Sequence, residues 1–216
     1  DAITYGIFII LAVFGLRPSE IQGLYRSNFN FTKRFVLIKG AYLGREGGYR
    51  NRTKNDESCR PLDFTKSQAD HIEWINEYML KYKKHNPYFF PASRLGQDGQ
   101  YHPVSQYKMR TLIYRAYEAV GLAKLEWFTK ANTKQYKIID CRFKNGPAKC
   151  WRHYNATSMI DNMYELGLTP NYIKSRLGHS RWQTTQDRYG NHNLAVSNDI
   201  RQERAEKVAK ALGYNK

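Results

Sequence analysis

The sequence predicts an α+β domain, mostly helical, with a small three-stranded antiparallel sheet. Three observations predict it. Apolar residues recur at helical spacing in several separated stretches. One β-branched and aromatic run, followed by two shorter ones, lies between the early helices. Gly, Pro and Asn-Asp punctuation marks the borders.

Residues 2 to 14 read as a buried helix that closes near Gly15, and Pro18 opens a second short helix in "LRPSEIQGL". "RFVLIKGAYL" (34 to 43) is a strand and "GREGG" a loop. "YRNRTK" and "SCRPLDF" give two more strands around a tight turn at Asn55-Asp56, which makes a basic hairpin. Thr65 with Gln68 is a capping-box start, and Ile72, Ile75, Met79 and Tyr82 continue as a helical stripe. A turn-rich connection follows, then a helix over 105 to 120 with Met109, Leu112, Ile113, Ala116 and Val120 on one face.

Residues 121 to 148 read as a long loop with a strand at "YKIID". After Arg152 a helix carries Ala156, Met159, Met163 and Leu166 to a stop at Gly167. Thr169-Pro170 begins a short helix that Gly178 ends, and a final amphipathic helix carries Val196, Ile200, Val208 and Leu212.

Lys and Arg number 35 against 19 Asp and Glu, a formal net charge of +16 spread along the chain. That excess points to a polyanion, and nucleic acid is the commonest, since each neutralised phosphate releases a counterion. A membrane surface would ask for a helix with one basic and one bulky apolar face, which the sequence lacks. The apolar run "IFIILAVFGL" is about half of a bilayer span. Cys59, Cys141 and Cys150 show no metal-ligand spacing and read as reduced thiols of a cytosolic protein. The abrupt start at Asp1 suggests an excised domain whose N-terminal neighbour is absent.

Breaking a nucleic-acid backbone without a metal requires fixed cations around the phosphorus, and arginine forks suit its oxygens. Arg17 directly follows an apolar helix in "GLRPSE", at a helix junction; the plainer reading is a surface arginine or a partner of Glu20 at i+3. Lys54, near a hairpin tip, can donate a proton to a leaving oxygen, or merely touch phosphate. Lys149 and Arg152 share a helix face if the helix begins at 149, and two converging cations ask for an anion. His179 projects from the corner made by Gly178. In "LGHSRWQTTQDRYGNH", Tyr189 stands in polar company, either as an incidental residue of a solvated turn or as a hydroxyl held out to react.

In this order the residues resemble the tyrosine recombinases, the phage-integrase family. "LAVFGLRPSEIQGL" is similar to its first box, "RTKNDESCRPLDF" to its lysine hairpin, "WRHYNATSMI" to its second arginine segment, and "LGHSRWQTTQDRYGNH" to its terminal L-G-H…T-T…Y segment. One position departs: the family's H-x-x-R stands here as Lys149-Cys150-Trp151-Arg152, which is also similar to the K-x-x-R of type IB topoisomerases. A lysine can donate to a phosphate oxygen, but it stands against any role that needs a neutral base at 149.

The resemblance implies the family's catalytic domain across residues 1 to 216, with a core-binding domain before it. It implies attack by Tyr189 on duplex DNA to give a 3′-phosphotyrosyl bond, with Arg17 and Arg152 on the non-bridging oxygens. His179 and Lys149 would assist, and Lys54 would protonate the leaving 5′-oxygen. No metal, ATP or other cofactor is expected. Further expectations are a tetramer on DNA joined by exchange of the C-terminal segment, a mobile-element or phage origin, and a cytoplasmic place on the nucleoid. The alternatives are a topoisomerase that only relaxes DNA, or an accessory DNA-binding relative that has lost catalysis.

Overall fold

The computed structural model describes residues 1–44, 48–50, 59–143 and 146–189. Seven α-helices occur among them: α1 (Ala2–Phe14), α2 (Pro18–Gln22), α3 (Lys66–Lys83), α4 (Gln106–Ala119), α5 (Lys149–Asp161), α6 (Pro170–Leu177) and α7 (Trp182–Tyr189). The strands are β1 (Phe29–Asn30), β2 (Phe35–Ile38), β3 (Ala41–Tyr42), β4 (Tyr49–Arg50), β5 (Arg60–Asp63), β6 (Ala123–Lys130) and β7 (Thr133–Cys141). The final helix read after residue 195, the Asn55-Asp56 turn and Lys54 all lie outside the described residues.

Helix α1 forms because Asp1 caps it, accepting from the Ile3 amide at 3.0 Å, and Gly15 ends it in the left-handed region. Its Ile7, Ile10, Leu11 and Phe14 are buried at the centre of the large core. Ile72, Ile75 and Met79 of α3 close on it, as do Met109, Leu112 and Ile113 of α4. The Thr65/Gln68 box is reciprocal, with bonds of 2.8 and 3.3 Å. A second, smaller cluster joins Ala156 and Ile160 of α5 to Ile173 and Leu177 of α6.

The three-stranded antiparallel sheet is present, but with different members. Its order is β1-β2-β5, with Val36 opposite Leu62 and Ile38 opposite Arg60. The strand read over 34 to 43 breaks at Lys39-Gly40; its second half becomes β3, pairs with β4 and packs on α2. Phe29–Asn30 supplies the missing edge.

The stretch from 121 to 148 contains the longest strands, the β6–β7 hairpin, rather than a loop with one strand. Its tip is Ala131-Asn132, both at positive φ, as a two-residue mirror-image turn requires. Helix α5 stops at Asp161, short of the Gly167 end that its apolar spacing suggested. The Asn162 side chain turns back to donate to the Ser158 carbonyl at 2.9 Å, and Leu166 is left exposed. Val120 likewise lies past the end of α4 and is exposed.

Candidate functional site

The C-terminal ends of α1 and α6 meet, and their last carbonyls point into one place. A helix end leaves such carbonyls without intrahelical donors, and together they form its negative pole. Here guanidinium groups supply the donors. Arg152 donates from Nη1 to the Gly15 carbonyl at 2.9 Å and from Nη2 to the Leu177 carbonyl. Arg17 donates from Nη2 to the Gly178 carbonyl at 3.2 Å. Arg60 donates from Nε to the Arg176 carbonyl at 2.8 Å, and Arg176 returns a bond to the Val13 carbonyl at 3.1 Å.

Gly178 is what lets these groups close. Its φ of 63° ends α6 in the left-handed region, and a Cβ there would stand 2.6 Å from Arg60 Nη1. The chain turns at this corner, so His179 points back into the site, where it is buried. Its Nε2 lies 3.1 Å from Arg152 Nη2 and its Nδ1 2.8 Å from Thr185 Oγ1. An arginine only donates, so Nε2 accepts, and the neutral ring carries its proton on Nδ1, facing Thr185.

Glu20 is the anion at the base. Burial by itself raises its pKa, but the Arg60 and then the Arg17 charge, the Arg60 hydrogen bonds and the Arg152 charge together outweigh this and bring it down to about 2. Arg17 meets it at 2.8 Å and Arg60 at 3.2 Å. The i+3 pairing with Glu20 is therefore real, and it leaves Arg17 free to reach α6 as well. Arg17 keeps 36% of its side chain exposed, whereas Arg152 is buried. The cluster thus has a solvent-facing fork above a fixed one.

Of the six residues singled out, Arg17, Arg152 and His179 are brought together directly. Helix α5 does begin at Lys149, one turn before Arg152, yet Lys149 is exposed. It lines a cavity of about 260 Å³ with Pro18, Arg110 and Gly146, beside the start of α2. Tyr189 is the last residue of α7, so "WQTTQDRY" is helical rather than a turn. Lys54 lies outside the described residues.

Arg60 and Thr185 belong to the site and were not singled out. Arg60 sits in "SCRPLDF", where an arginine at an inward strand position was the available signal. Thr185 sits in the quoted "TT" pair, four residues before Tyr189, the helical spacing of one turn. Among the described residues, no group of three or more His, Cys, Asp and Glu side chains is placed to hold a metal ion.

No protein-family model matches the chain, and neither does any curated protein. Solved structures do. The Tn1549 transposon integrase in complex with circular intermediate DNA matches at 19% identity with a TM-score of 0.60, over 94% of this chain and 58% of that one. The same integrase in complex with transposon right end DNA matches at 18% and 0.60, over 94% and 57%. XerA recombinase matches at 17% and 0.58, over 96% and 58%. This chain therefore spans under three-fifths of the length of those it matches. At such identities the likeness is one of architecture: the mostly helical domain with its small antiparallel sheet has the fold of the tyrosine-recombinase catalytic domain.

Proposed function

We propose that this chain is the catalytic domain of a site-specific DNA recombinase, an integrase of a mobile element, which cleaves and rejoins duplex DNA through a 3′-phosphotyrosyl intermediate. The observation that carries the reading is the meeting of Arg17, Arg152 and His179 at one corner, with the Arg17 fork turned partly to solvent. Two guanidinium groups held by helix-end carbonyls are preorganised for the extra negative charge of a pentacovalent phosphorus.

In this mechanism the Tyr189 oxygen attacks phosphorus and the bond to the 5′-oxygen breaks. The tyrosine loses its proton, and Lys54 gives one to the departing 5′-oxygen. Arg17 and Arg152 bind the non-bridging oxygens. His179 and Lys149 assist, and the tyrosine proton passes to water. Attack by a 5′-hydroxyl of a second duplex then completes strand exchange. The bond energy stays in the phosphotyrosine, so no ATP is consumed. A preceding core-binding domain, a tetramer on DNA joined by C-terminal segments, and a place on the nucleoid complete the reading.

One observation favours a second reading. Lys149 opens α5 one turn before Arg152, the K-x-x-R spacing of an enzyme that only relaxes DNA. Covalent trapping tests both. The protein is mixed with nicked duplex carrying the element's end, denatured, and examined for an adduct, beside Tyr189→Phe. An adduct lost in the variant supports the nucleophile, and joining of two duplexes selects recombination over relaxation. Tight binding to that duplex without any adduct would sink both readings.

A further inference from the structure

We propose that the outward face of α3, together with Tyr5 of α1, docks a basic segment of a partner protein. Tyr5, Trp74 and Tyr78 are 40%, 50% and 38% exposed, although they touch one another. Trp74 stands edge-on to Tyr5, with centroids 5.7 Å apart and planes at 84°. It lies nearly parallel to Tyr78 at 5.8 Å and 29°. The Tyr5 hydroxyl and His71 Nδ1 share a hydrogen bond of 2.6 Å, so this corner of rings is set before any ligand arrives.

The charge around the rings is negative. Asp70, Glu73 and Glu77 are exposed on α3. At about 100° per residue, Asp70 and Glu77 flank Trp74 on the helix face opposite Ile72 and Met79, with Lys81 one turn further on. A chain of net charge +16 thus carries an acidic aromatic face. Ring faces and carboxylates both attract a Lys or Arg head, and both repel phosphate. Beside Tyr5, a cavity of about 460 Å³ between α1 and α4 is walled by Phe8, Leu112 and Ala116, with Asp1 and Arg115 also on it. The pair of features fits an apolar anchor in the cavity and a basic side chain on Trp74. None of the site residues takes part, so the inference does not rest on the proposed reaction.

The test titrates a short peptide alternating leucine and arginine into the whole chain labelled with fluorotryptophan, the Trp74 resonance being assigned with Trp74→Phe. The resonance is expected to move with this peptide, and to stay in place with its leucine–glutamate counterpart and with a single-stranded oligonucleotide. Glu77→Lys is expected to weaken the peptide about tenfold, and Trp74→Ala to weaken it similarly by calorimetry, both with unchanged circular dichroism and duplex binding. A resonance indifferent to the basic peptide overturns the proposal. So does a shift with the oligonucleotide, which would make the rings a base-stacking platform. Self-association abolished by Trp74→Ala would assign the face to a second copy instead.

Discussion

Arg60 donates to both carboxylate oxygens of Glu20, at 3.2 and 3.3 Å, across 40 residues of sequence, with 2% of either side chain exposed. Removing one member of such a pair leaves the other buried and charged, which costs about 3–5 kcal/mol. Arg60→Met is therefore expected to lower unfolding stability by that order in urea titrations. Glu20→Leu combined with Arg60→Met should lose less than the two single changes added together, because neither charge is then left buried without the other.

The depressed carboxyl makes stability depend on acid in a defined direction. Glu20 ionises at about 2 in the fold against an ordinary 4.5, so between these values the unfolded chain binds more protons. The stabilisation is full above 4.5 and disappears as the pH falls toward 2. Thermal midpoints should fall through that window, and Glu20→Gln should flatten the fall. A variant curve as steep as the parent's would place the acid sensitivity elsewhere.

Thr185 holds the histidine tautomer. Thr185→Val deletes the acceptor facing His179 Nδ1, at a cost of about 1–3 kcal/mol for the stranded buried group. Adduct formation on nicked duplex is expected to slow about tenfold, and nitrogen chemical shifts of the ring should report loss of the single tautomer. Thr185→Ser should restore both.

Gly178→Ala tests whether the corner is steric as well as conformational. Gly167 has nearly the same φ, 62° against 63°, but open space where a Cβ would go. Gly167→Ala should cost about 1 kcal/mol of left-handed strain. Gly178→Ala should cost more, because its Cβ must displace the Arg60 fork, and thermal midpoints of the two variants give the difference directly.

Local signals in the sequence led to correct local structure. The Thr65/Gln68 box, Pro18 after Arg17, and Thr169-Pro170 each begin a helix where expected, since each works through bonds to its own neighbours. Arg17, Arg152 and His179 were legible from family-like boxes and do converge. Arg60 was not, because its meaning lies in Glu20 and in the Arg176 carbonyl 116 residues away. The β6–β7 hairpin escaped because its turn is Ala-Asn rather than a glycine turn, and lysines interrupt its alternation. The helical nature of "WQTTQDRY" was hidden by its polar residues, among which the buried Thr185 packs through a hydroxyl.

The two apolar clusters are joined at this corner mainly by polar stitches, from Arg152, Arg60, Arg176 and Asn155 to carbonyls on the facing helix ends. Neither cluster carries the whole site, since Arg17 follows α1 of the larger one and His179 follows α6 of the smaller. A molecule in which α5, α6 and α7 are not seated therefore has scattered cations and no assembled centre. The cations and the histidine come together only in the fully packed molecule, so the centre and the packing between the two clusters stand or fall together.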